Sequence, residues 1–264
     1  MSARGLAAAA VIAFAGCAAP APKQLGAPPP QTPLDRSGEE AQARTRARVH
    51  TELAAGYYEL RNMAVALDEI KLALKAEPDY GPAYNVAGLI YAALREERLA
   101  QQNFQRALRI NPLDSDANNN YGQYLCDRGH EGEALKYFHA ALANPLYGTP
   151  ERAYVNAGVC TRRRGDVAAA EDYFLKALRT RPTQPQALYQ LADIAYARKD
   201  YERSKVYLMR LEQVARPTAE MLWLALRVER RLGDHNAEAA FGQQLRREFP
   251  DSKEARAFLA GLDE

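Results

Sequence analysis

The sequence is short of the residues from which reactive sites are built. Its 264 residues include 3 Cys, 4 His and 1 Trp. There is no G-x-S-x-G elbow, phosphate-binding P-loop, G-x-G-x-x-G turn, C-x-x-C pair or H-E-x-x-H helix. The histidines (His50, His130, His139 and His235) nowhere pair at ligand spacing on one helix face. Nothing assembles a nucleophile, a base and an orienting group, so the reading is that of a non-enzyme with no small-molecule substrate. A strong charge of one sign is also missing: 35 Lys+Arg face 33 Asp+Glu, a formal net charge of +2. That balance removes the electrostatic case for a nucleic-acid partner. No apolar run reaches 18 residues, which excludes a membrane-spanning helix.

What is present begins at the N-terminus. Residues 1–16 read MSARGLAAAAVIAFAG: Arg4 is a short basic region and Leu6 to Phe14 an apolar stretch suited to a signal peptide. The stretch ends in Phe14-Ala15-Gly16-Cys17, small residues before a cysteine, which resembles the lipobox of bacterial lipoproteins. The resemblance implies cleavage after Gly16 and lipid on Cys17, the sole non-protein group expected. The alternative is an ordinary secretory signal cut at a neighbouring Ala. Each buried lipid CH₂ contributes about 0.8 kcal/mol, so several acyl chains anchor a protein that has no spanning helix. Ala18, not Asp, follows the cysteine. By resemblance to sorted lipoproteins, this implies the periplasmic face of the outer membrane and its lipid as a partner. Six prolines between residues 18 and 40 (Pro20, Pro22, Pro28, Pro29, Pro30 and Pro33) predict an extended tether, at about 3.1 Å per residue. The segment 17–46 is thus expected to carry the lipid and the tether and to run into the first helix.

From Ala47 a period of 34 sets in. Positions 8, 20, 27 and 32 read Ala54, Ala66, Ala73, Pro78 in the first unit; Gly88, Ala100, Ala107, Pro112 in the second; and Gly158, Ala170, Ala177, Pro182 in the fourth. That period and pattern are those of the tetratricopeptide repeat, two antiparallel helices per unit. Small side chains line the helix crossing, and large ones such as Phe104, Phe138 and Phe174 fill the space left over. The proline ends the second helix, and Gly129, Gly165 and Gly233 occupy position 15, the turn between helices. Six units follow, at 47–80, 81–114, 115–150, 151–184, 185–218 and 219–252, with Thr149 and Pro150 inserted after the third. A capping helix is expected in 253–264, with Asp251 and Glu254 at capping-box spacing and Ala255, Phe258, Leu259 and Leu262 on one face. The expected fold is all-α: a right-handed superhelical solenoid of six helix pairs plus a C-terminal cap.

A solenoid of this kind offers a groove lined by its first helices. Positions 2, 5, 9, 12 and 13 are expected to face it. The candidate binding residues are therefore Asn85, Leu89, Asn119, Gln123, Arg152, Val155, Val159, Arg162, Tyr189, Tyr196 and Trp223. Amides, aromatics and arginines side by side suit peptide recognition. On this reading Trp223, Tyr189 and Tyr196 would otherwise be exposed large groups. Arg227, Arg230 and Arg231 form a basic run for which anionic lipid is an alternative contact. Cys126 and Cys160 lie one repeat apart on first helices of adjacent units. A bridge and a pair of small buried thiols both fit, because sequence does not fix the Cα separation.

Several features coincide: the lipobox, the tether, the six units, and two cysteine-bearing stretches. These are Asn118-Asn119-Asn120-Tyr121-Gly122-Gln123-Tyr124-Leu125-Cys126 and Tyr154-Val155-Asn156-Ala157-Gly158-Val159-Cys160. With Ala240-Phe241-Gly242-Gln243-Gln244-Leu245 before Phe249-Pro250, the chain resembles the type IV pilus biogenesis and stability lipoproteins, the PilF/PilW pilotins. The resemblance implies a lipoprotein that binds the pilus secretin subunit, carries it to the outer membrane and promotes its multimerisation, in support of twitching motility. The groove of the first four units is the expected contact. An adaptor for another envelope machine, such as outer-membrane protein insertion or peptidoglycan synthesis, would share every solenoid feature.

Overall fold

The computed structural model describes residues 33–261. The signal segment, Cys17 and the tether up to residue 32 lie outside the described residues. Residues 1–39 and 40–264 form two compact units; of the first, residues 33–39 are the opening turns of a helix.

Thirteen helices and no strand occur among the described residues. They are α1 (Pro33–Glu59), α2 (Met63–Ala76), α3 (Gly81–Ala93), α4 (Glu97–Ile110), α5 (Ser115–Cys126), α6 (Glu131–Leu142) and α7 (Pro150–Arg163). There follow α8 (Val167–Thr180), α9 (Pro185–Ala197), α10 (Tyr201–Glu212), α11 (Ala219–Leu232), α12 (His235–Glu248) and α13 (Lys253–Leu259). Odd-numbered helices from α1 to α11 are the first helices of six hairpins, and even-numbered ones the second. One expectation is corrected at the start. α1 begins at Pro33, so residues 33–40 are helical rather than extended tether. Proline is compatible with the first turn of a helix, where its missing N–H has no intrahelical acceptor to lose.

Local chemistry sets the helix ends. Asp166 and Asp234 cap α8 and α12, accepting the N–H of Ala169 and Ala237 at 3.0 Å. α2, α4, α8 and α12 stop two residues before Pro78, Pro112, Pro182 and Pro250. Position 15 of every hairpin turn has positive φ: Gly129, Gly165 and Gly233, but also Arg61, Arg95 and Lys199. The left-handed backbone is therefore a requirement of the turn, which glycine meets at three sites and long basic residues meet under strain at the other three.

Within a hairpin the crossing is as close as side chains allow. A Cβ placed on Gly88 would lie 2.7 Å from the Phe104 ring, and one on Gly158 would lie 2.6 Å from Phe174. Both rings are fully buried. Between hairpins, positions 3, 7 and 10 of each first helix face the preceding unit. In the second to sixth units these residues are all buried: Ala83, Ala87 and Ile90 in α3, for example, and Ala187, Leu191 and Ile194 in α9. First helices of successive units also touch, α3 with α5, α5 with α7 and α9 with α11. The third and fourth units are further joined by a disulfide between Cys126 and Cys160, with Cα atoms 5.8 Å apart.

The C-terminal end is closed by α13. Phe258 reaches the position that a Cβ on Gly242 would occupy, 2.6 Å away, repeating between α12 and α13 the glycine–phenylalanine contact of the hairpins. The cap residue is Ser252, whose hydroxyl accepts the N–H of Ala255 at 3.0 Å, and not Asp251 as the capping-box spacing predicts. Leu259 is exposed, and the buried side of α13 carries Glu254 and Ala255. Leu262 lies outside the described residues.

Three stability changes are expected. Gly88→Leu overpacks the crossing of the second unit against Phe104 and lowers stability by ~1–3 kcal/mol or more, read as a lower urea midpoint. Lys199→Gly relieves the left-handed turn and raises stability by about 0.5–1 kcal/mol in the same assay. Replacing Cys126 and Cys160 together by Ala removes a cross-link of sequence separation 34. That double substitution costs about 3–4 kcal/mol in the chain-entropy picture, and a melt unchanged in oxidising buffer would contradict it.

Candidate functional site

The face lined by first helices is largely occupied by its own side chains. Asn120 Nδ2 donates to Asn85 Oδ1 at 3.2 Å, and Asn156 Nδ2 donates to Asn119 Oδ1 at 3.0 Å. These amides bridge α3 to α5 and α5 to α7, so Asn85 and Asn119, both buried, join units together. Asn119 Nδ2 is left buried without a partner. Val155 lies in the core, 1% exposed, with Val159 packed against the same cluster. Leu89 packs on the core shared by the second and third units. Arg162 Nη1 donates to Gln190 Oε1 at 2.6 Å, and its Nη2 pairs with Asp193. Arg163 bonds Asp127 Oδ1 at 2.9 Å. Of the predicted groove residues, Gln123 and Arg152 are the exposed ones.

Trp223 corrects the expectation most directly. Its position predicts an exposed anchor, yet it is only 8% exposed, in a cluster with Leu222, Leu226, Leu245 and Ala255 against which Phe241, Phe249 and Phe258 pack. The closing helix α13 supplies part of that cover, which a repeat-by-repeat reading of the sequence does not contain. The basic run does not act as a unit either, because Arg230 Nε is bonded to Glu238 Oε1 at 2.7 Å.

Beside Trp223 the face opens into a cavity of about 360 Å³, lined by Tyr189, Asp193, Glu220, Trp223, Leu224, Arg227, Lys253, Glu254 and Ala257. Burial pushes the Tyr189 hydroxyl up to about 12, and Asp193, Glu220 and Glu254 add to the shift. Tyr189 therefore stays a neutral donor at any physiological pH. Tyr196 lies beside Tyr201 in a tilted arrangement with ring centroids 5.5 Å apart, and the Arg227 guanidinium lies 4.5 Å from the Tyr196 centroid.

The opposite end carries a surface that the groove pattern does not point to. Positions 3, 7 and 10 of the first unit are Val49, Leu53 and Gly56, on α1. Val49 is 42% exposed, Leu53 45%, and Gly56 is also exposed. A cavity of about 470 Å³ runs along them, bordered by Glu52, Tyr57 and Leu60. In the five later units the same positions are covered by a helix of the unit before. The signal for this surface is in the sequence: it lies in the period itself, read for the faces between units and not for the groove.

Among the described residues, no three His, Cys, Asp or Glu side chains gather as metal ligands, and no helix is long and apolar enough to cross a membrane. Tetratricopeptide repeat profiles match residues 81–112, 103–136, 122–185 and 162–209. The chain is 27% identical over 230 residues to the type IV pilus assembly protein PilF of Pseudomonas aeruginosa, covering 87% of this chain and 90% of that protein. Its fold is similar to the crystal structure of PilW, described as a widely conserved type IV pilus biogenesis factor. The TM-score is 0.72 at 32% identity, over 81% of this chain and 98% of that one. It is also similar to the Pseudomonas aeruginosa PilF structure, with a TM-score of 0.76 at 26% identity, over 84% and 99% of the two chains. The spacing of 34, the six closed hairpins and these relationships over nearly their whole lengths agree: the chain belongs to the PilF/PilW family of tetratricopeptide-repeat type IV pilus biogenesis proteins.

Proposed function

We infer that the chain is a non-catalytic outer-membrane lipoprotein that captures the type IV pilus secretin subunit and promotes its multimerisation at that membrane. Cys17, with the small residues before it, supplies the membrane address. Membership of a pilus biogenesis family supplies the context. The observation that carries the capture step is the uncovered α1 face. Val49, Leu53 and Gly56 hold the positions at which every later unit receives a helix, and here they stand open. A surface already shaped for a helix, with glycine at its centre to permit close approach, suits an amphipathic helix of the secretin subunit. The mature sequence before α1 is rich in proline and has Leu25 as its sole large apolar residue, a composition with few of the apolar side chains that an amphipathic face needs. We place the contact here and not in the groove of the first four units because Asn85, Asn119 and Val155 are already engaged within the protein.

The test is the amount of detergent-resistant secretin multimer in cells carrying Leu53→Asp. The side chain is half in solvent, so the fold and its melting temperature should be retained while multimers and twitching are lost. Cys17→Ser should retain the fold and misplace the secretin. Normal multimers in a strain lacking the protein altogether would overturn the secretin reading and leave the adaptor role for another envelope machine.

A further inference from the structure

The cavity at the C-terminal end contains a cation that no carboxylate among the described residues neutralises. Three other arginines of the first helices have carboxylate partners: Arg162 with Asp193, Arg163 with Asp127, Arg230 with Glu238. Arg227 has none among the described residues. Its guanidinium lies against two aromatic rings, 4.5 Å from the Tyr196 centroid and 5.9 Å from Trp223. Ring faces hold the charge in place but accept no conventional hydrogen bond. Nε is buried and donates to no group among the described residues. A buried N–H in that state is destabilising, and an incoming acceptor removes the penalty.

The acids on the cavity wall do not supply that acceptor. Asp193 is held by Arg162, and Glu254 lies 3.6 Å from Lys253 Nζ. Glu220 is exposed and sits seven residues before Arg227 on α11, about 10.5 Å along the helix. Tyr189 and Tyr196 have the same spacing on α9. The cavity is therefore polarised along its length, with Tyr189 and Glu220 at one end and Arg227, whose guanidinium lies over the Tyr196 ring, at the other. An extended peptide advances about 3.3 Å per residue, so roughly three residues span it.

We propose that this cavity is a carboxylate-binding subsite for an extended peptide. The peptide's carboxylate pairs with the Arg227 guanidinium, its chain runs past Trp223, and its N-terminal side lies toward Glu220, where donors are favoured. A free chain terminus and an Asp or Glu side chain both present the required group. The site is at the opposite end of the array from Val49 and Leu53, and it stands whether or not the α1 face binds the secretin.

Trp223 is the sole tryptophan of the chain, so its indole N–H reports on the cavity without ambiguity. The full chain is titrated with three probes followed by NMR at that indole and at Arg227 Nε–H. They are acetyl-tetraalanine with a free C-terminus, its C-terminal amide, and the amide in which the last Ala is Asp. The two carboxylate probes should bind at least tenfold more tightly than the neutral amide, and the better of them identifies the source of the group. Arg227→Gln should abolish the tenfold preference, and Arg227→Lys, which keeps the charge without the planar fork, should reduce it. Equal binding of the neutral amide, an undiminished preference in Arg227→Gln, or no shift with any probe at millimolar concentration overturns the proposal. Should Arg227→Gln fail to fold, the comparison of probes on the unaltered chain together with Arg227→Lys decides it.

Discussion

A single helix hairpin of this chain cannot bury both of its faces, and that limit organises everything else. In the second, third and fourth units the inner crossing is closed by glycine against phenylalanine, which brings the two helices so near that little core is left between them. Most apolar surface must then be removed from water between hairpins. Residues such as Ala83, Ala87 and Ile90 or Ala187, Leu191 and Ile194 do this by packing under the preceding unit. Stability in such an array is the sum of small units and the contacts between neighbours, so no unit is expendable and the two ends are special.

The two ends are treated differently. At the C-terminus α13 lays Phe258 over Gly242 and helps to bury Trp223 and Leu245. At the N-terminal end of the array, Val49 and Leu53 keep more than two fifths of their surface in solvent. If a cap were required only for solubility, both ends would need one. The asymmetry leaves the α1 face as a seam surface that no helix covers among the described residues. It also moves the search for a partner surface from the groove to a seam, where shape is dictated by the repeat.

The repeat frame was legible because its signals are local. Small residues at crossings, proline after second helices and glycine in turns each act within a few residues of where they stand. Arg61, Arg95 and Lys199 show that the turn geometry persists even where the glycine signal is missing. The groove was less legible because facing it is a property of several units at once. Val155 at position 5 reads like a surface residue of α7 until α8 and α9 close around it. Asn85 and Asn119 read as free amides until Asn120 and Asn156 reach them from the next unit. Trp223 depended on α13, where Ala255 and Phe258 pack as the pattern expects while the cap at Ser252 and the exposed Leu259 depart from it.

Engagement of the inner face has a physical consequence for recognition. The Asn85–Asn120 and Asn119–Asn156 bonds, the Arg162–Asp193 pair and the Cys126–Cys160 bridge all join one unit to the next. A partner that competed for those groups would have to separate units and expose the seam beneath, a cost in buried apolar area as well as in hydrogen bonds. Groups that bind at low cost are those the fold has ordered without satisfying. Leu53, held on a helix but uncovered, and Arg227, held between aromatic rings without an acceptor, are two such groups at separate places on the array. Pre-ordering would lower the entropy lost on binding in both cases, and it follows from the same packing that makes the inner face rigid.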